Sequence, residues 1–110
     1  MDALEARSRL LARRAELDEE DRISAETRAP VTLQQDSVGR LSRMDAMQVQ
    51  AMALAAQRRR AAERQRIDAA LQRIDEGEWG YCLHCGEEIA ERRLQHDPSV
   101  PRCVGCAGSD

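Results

Sequence analysis

Cys82-Leu83-His84-Cys85 and Cys103-Val104-Gly105-Cys106 constrain this chain more than any other feature, because they hold all four of its cysteines. Two thiolates three positions apart reach one metal ion when the chain between them turns tightly, and a second such pair closes a tetrahedron. A Cys₄ site of this kind takes one Zn²⁺ and leaves no position open to substrate, so the predicted metal is structural. Gly86, directly after Cys85, can supply the positive φ that the turn beyond a metal knuckle often needs. Disulfides would need an oxidising compartment, and residues 1–22 are too charged to contain the apolar run of a leader. A dithiol redox motif would need a βαβ setting, which the chain does not offer. His84 could replace one sulfur, but four cysteines already complete the site; His96 reads as a surface side chain of the finger.

Outside this module little can be buried. The chain has 110 residues, no Phe, one Trp and one Tyr, which excludes a large globular core. Hydrophobic residues reach 42%, but many are Ala, which bury little area each. With 34% charged residues, the mix of Ala, Glu, Arg, Leu and Gln is that of long helices and coiled coils. So thin a core gives a reason for a metal staple. The net charge of −3 counts against a protein that lives by binding DNA phosphates. No apolar run approaches a membrane span, and the expected compartment is the cytoplasm. With neither an open metal position nor a nucleophile–base pair, no enzyme is expected.

The predicted fold class is mainly α: a long antiparallel helical hairpin, or coiled coil, over residues 1–76, followed by a small Cys₄ zinc finger over 77–110. A first helix over 3–28 starts at Asp2 as N-cap, with Glu5 as capping partner. Ala3, Leu10 and Leu17 give it one apolar stripe, flanked by Leu4 and Leu11. Pro30 stops it and places the bend near 29–36, where Thr32 and Gln35 offer a second capping box. From there nothing interrupts a helix until about Asp75, with Gly77 at its C′ position. Folding about residues 30 and 31 sets Asp21 opposite Arg40 and Asp18 opposite Arg43. Met44, Met47 and Met52 are expected to fill the seam, with a soft binding surface as the alternative. Arg58, Arg59, Arg60, Arg64 and Arg66 read as a solvated face, and as a protein contact second.

The run from Gly77 through Trp79, Tyr81, Cys82, Cys85, Gly86 and Ile89, with Arg92-Arg93-Leu94, Pro98 and the closing Cys103 and Cys106, resembles the DksA/TraR family of C4-type zinc-finger proteins. The resemblance covers about 30 residues and extends to positions that are not metal ligands. It implies a short, DksA-like member of the DnaK suppressor group, lacking the helix that follows the finger in full-length members. It further implies a regulator of transcription that binds RNA polymerase rather than DNA, its coil entering the secondary channel. Full-length members act jointly with the alarmone ppGpp, so the resemblance implies that partner too. The family's tip pattern, Asp-x-x-Asp-x-Ala, is absent, and Asp36 and Asp45 are the candidate coil-tip acids instead. The alternative is a zinc-ribbon adaptor with a different protein partner.

Overall fold

The computed structural model describes residues 1–29 and 40–108, with side chains from Arg43 onward in the second segment. Helix α1 spans Ala3–Ile23, and the Asp2 carboxylate caps it by accepting the Glu5 N–H at 2.8 Å. The helix expected over 3–28 is not continuous. Ser24 interrupts the helix with φ −85° and ψ −1°, and a four-residue helix α2, Ala25–Arg28, resumes it. The Ser24 hydroxyl accepts from both Arg28 and Arg60 at 3.0 Å, so the interruption is tied to the opposite helix. Ala29 is extended, as a residue before proline must be. The second capping box at Thr32 and Gln35, the bend itself and Asp36 lie outside the described residues.

Helix α3, Arg40–Asp75, has 36 residues, which makes it about 54 Å long at 1.5 Å per residue. Gly77 ends it at φ +75°, where the Gly77 N–H reaches the Ile74 carbonyl at 3.1 Å and the Glu78 N–H the Arg73 carbonyl at 2.9 Å. This pair of bonds is a Schellman motif, and Gly77 avoids the Cβ penalty of that conformation.

The pairing of the two long helices departs from the sequence expectation. Asp21 faces Arg60 and Arg64, each at 2.6 Å, and Asp18 faces Arg64 at 2.9 Å rather than Arg43; the Arg40 side chain lies outside the described residues. Arg7 with Asp75 and Arg14 with Asp68 are both centred on position Leu41. The symmetry point of the hairpin therefore lies about ten residues beyond Pro30. A proline sets where a helix ends; it does not set which residues of the next helix come alongside. Leu10, Leu17, Ile67 and Ala70 make the buried seam, with Leu71, Ile74 and Trp79 against it. Ala6 is buried too, whereas Ala3 and Leu4 are not. Met44, Met47 and Met52 are exposed, so they do not fill the seam as expected.

The molecule measures 60 × 29 × 20 Å with a radius of gyration of 19.1 Å, against about 13 Å for a compact domain of this length. No described helix is long and apolar enough to cross a membrane.

Candidate metal centre

The finger begins where α3 stops. Its first knuckle is a short antiparallel ribbon: Tyr81 bridges Glu88, the Cys82 N–H donates to the Glu87 carbonyl at 2.8 Å and the Ile89 N–H to Gly80 at 2.8 Å. Gly86 turns the ribbon at φ +78° and donates its N–H to the Cys82 carbonyl at 2.9 Å. A side chain at that φ would be strained, as the sequence implied. Helix α4, Glu91–His96, then crosses back, and Cys103 stands at the start of α5, Val104–Ala107. The second knuckle closes on itself through the Cys106 and Ala107 N–H groups, which both donate to the Cys103 carbonyl.

Three contacts bring the knuckles together. The Leu83 N–H donates to the Pro101 carbonyl at 2.9 Å. The Arg93 Nε donates to the carbonyl of Arg102, next to Cys103, at 2.9 Å. The Trp79 Nε1 donates to the Pro98 carbonyl at 2.9 Å. Behind the sulfurs, Cys82, Ile89 and Leu94 form a second small core on which Trp79, Val100, Cys103 and Cys106 pack. Trp79 thus belongs to both cores, that of the hairpin and that of the finger.

The Sγ atoms of Cys82, Cys85, Cys103 and Cys106 all lie within 4.8 Å of one another. The separation from Cys85 to Cys103 is 3.8 Å, which matches the edge of a tetrahedron built from Zn–S bonds of about 2.3 Å. It is far too long for a disulfide, and all four cysteines are free. The electrostatics agree. N–H groups of Cys85, Cys103 and His84 hold the Cys82 thiol down to about 5. The neighbouring Cys103 sulfur, together with desolvation, pushes Cys106 up to about 12. Four sulfurs this close resist sharing negative charge until a divalent cation joins them. The donor set and geometry fit one Zn²⁺ and leave no open position. His84 points no ligand atom into the cluster and is exposed, as is His96.

A long helical hairpin ending in a closed C4 metal finger defines the class: a mainly α zinc-finger protein. Residues 77–110 match the family model of the prokaryotic dksA/traR C4-type zinc finger, so the finger is of the DksA/TraR type. Over 41 residues the chain is 44% identical to the RNA polymerase-binding transcription factor DksA of Haemophilus influenzae. That stretch is 37% of this chain and 28% of the relative, so the chain matches less than a third of its length. The whole fold is similar to that of transcription factor DksA2 from Pseudomonas aeruginosa, with a TM-score of 0.74 at 24% identity over 97% of this chain and 81% of the other. It is also similar to the DnaK suppressor protein from Agrobacterium tumefaciens, with a TM-score of 0.59 at 27% identity over 100% and 95%.

The geometry brings the four predicted ligands together; of the two predicted acids, Asp36 lies outside the described residues. Asp45 lies exposed in the first turns of α3, at the end remote from the finger. The sequence reading passed over Trp79 and Arg93 as working parts. The signal for Trp79 was its position, a lone tryptophan two residues past the glycine that ends the helix.

Proposed function

We propose that this protein binds RNA polymerase and regulates transcription, with zinc serving structure alone and no catalysis of its own. In this reading residues 1–76 form the rod and 77–110 the finger that carries it, with Cys82, Cys85, Cys103 and Cys106 as zinc ligands. The rod enters the polymerase secondary channel, and Asp36 and Asp45 are the acids presented near its tip. One observation carries the reading. A finger 44% identical to that of an RNA polymerase-binding transcription factor is mounted on a hairpin with the fold of another transcription factor. The pairs centred on Leu41 support the choice of acids, since Asp36 and Asp45 stand five and four positions from that centre. A carboxylate there acts by charge on a metal ion or loop near the catalytic centre. Any role of ppGpp would be exercised jointly with polymerase.

The test is competition with a known secondary-channel factor for polymerase, followed by transcription with Asp36→Asn and Asp45→Asn. Each variant keeps the size of the side chain and removes its charge, so binding should persist while the effect on initiation weakens. A wild-type protein that fails to compete at saturation would sink the channel reading and favour an adaptor with another partner. Competition by the wild type, with both variants regulating as it does, would leave the site standing and reject these acids.

A further inference from the structure

Helix α1 carries a second row of residues besides the one it buries against α3. Leu4, Ser8, Leu11, Ala15, Asp18 and Arg22 recur at alternating steps of four and three, the spacing of a coiled-coil seam. All six are exposed, Leu4 at 78% and Leu11 at 46%. The hairpin does not cover this row. Arg7, Arg14 and Asp21 hold α1 to α3 along a neighbouring face. Among the described residues α3 reaches the row at its edge alone, where the Arg64 Nη2 meets the Asp18 Oδ1 at 2.9 Å. The finger touches α1 on another face, through the Arg9 Nη1, which donates to the Gln95 carbonyl at 2.7 Å. Exposed leucines seven residues apart thus put an apolar stripe on a helix whose other stripe is already buried.

We propose that α1 pairs antiparallel with α1 of a second copy of this chain, through this row, as a two-fold symmetric dimer. The inference does not rest on the polymerase reading. Reversed upon itself, the row is its own complement: position 4 meets 22, 8 meets 18 and 11 meets 15. Leu11 of one copy sets a large side chain on the small Ala15 of the other, and the symmetry repeats that contact. The Ser8 hydroxyl donates to the second oxygen of the opposite Asp18, a hydrogen bond strengthened by the charge of its acceptor. The aliphatic stem of Arg22 covers Leu4 of the other copy while its guanidinium stays with its own Glu19, which also quiets that acid against the opposite Glu5. A parallel pair would instead set Asp18 against Asp18 and Arg22 against Arg22, like charges in two layers. Self-pairing uses both halves of the row at once, a match that an unrelated helix has no reason to offer. The contact is a strip as long as α1, 21 residues or about 31 Å. That is narrow beside a permanent interface, so the dimer is a weak and reversible one.

The experiment is sedimentation of the full zinc-loaded chain between about 10 μM and about 1 mM. A monomer should pass into a dimer and no larger species, because a two-fold contact closes on itself. Leu11→Glu should weaken the association about tenfold or more. Ser8→Lys sets an ammonium against Asp18 in the antiparallel pair and should strengthen it about threefold; in a parallel pair it would set ammonium against ammonium and weaken it. Met52→Gln removes a comparably exposed apolar side chain from α3 and should change nothing. Zinc content and helicity establish that each variant is folded; if Leu11→Glu is not, the gain from Ser8→Lys decides. A chain still monomeric at the highest concentration, a Leu11→Glu variant that associates as the wild type does, a Ser8→Lys variant that gains nothing, or loss of the dimer in Met52→Gln would overturn the proposal.

Discussion

Leu17→Ala tests whether the seam is as thin as it looks. Leu17 is 0% exposed and shares its cluster with only Leu10, Ile67 and Ala70 as fully buried partners. Removing the equivalent of three buried carbons forfeits about 2.4 kcal/mol at about 0.8 kcal/mol each. The void adds to this, because Ala70 is too small to move into it, and the total falls at about 2.5–4 kcal/mol. For a protein whose whole stability is of order 5–15 kcal/mol, that is a large fraction. Urea unfolding of the zinc-loaded protein, followed by helical circular dichroism, should show the midpoint falling by about 1–2 M with the slope unchanged. Leu11→Ala is the matched control: Leu11 is 46% exposed, outside the cluster, and should cost about 1 kcal/mol or less. Equal losses from the two variants, or a loss under about 0.5 kcal/mol at Leu17, would refute the assignment of the seam.

Elemental analysis should find one zinc per chain, and chelation should shift Trp79 emission to the red while lowering the thermal midpoint of the helices, because Trp79 packs in both cores; unchanged emission on chelation would contradict the shared packing. Trp79→Phe keeps most of the apolar contact but orphans the Pro98 carbonyl, a loss of about 1–2 kcal/mol readable in zinc release and in thermal melting. Acid should weaken the hairpin through Asp21 and Glu63. Arg64 and Arg60 hold Asp21 below its ordinary 3.8, and Arg13 holds Glu63 below its ordinary 4.5. Depressed carboxylates contribute stability that is fully present above those ordinary values and is lost as pH falls through the lowered ones. The stability difference between wild type and Asp21→Asn should therefore be constant from neutrality to about pH 5 and shrink below about pH 4. Zinc loss in acid is common to both proteins and cancels in that difference; a pH-independent difference would show that Asp21 acts through packing alone.

The metal site was legible in the sequence because a tetrahedron of sulfurs is a local demand: two tight turns, each written as C-x-x-C, with Gly86 placed where the first one reverses. The Gly77 stop was legible for the same reason. Register was not. Pro30 is a local signal and ends α2 as expected, but the alignment of α1 with α3 depends on which of many similar residues meet. Arginines at 40, 43, 58, 59, 60, 64 and 66 give Asp21 several partners at almost any offset. The choice is made by Leu10 and Leu17 against Ile67 and Ala70, a long-range fit that no short window contains. The methionines misled because helical spacing shows that residues share a face without showing what the face meets.

Trp79 has a mechanical meaning as well. It is wedged where a rod about 54 Å long meets its mount. Over such a length a tilt of only ten degrees at the base carries the far end through about 9 Å, more than the width of a side chain. The tolerance with which Asp45 is aimed is thus set at the other end of the rod, by the fit of one indole and its bond to Pro98. A change that leaves every helix intact and merely slackens that joint would still leave the rod pointing elsewhere.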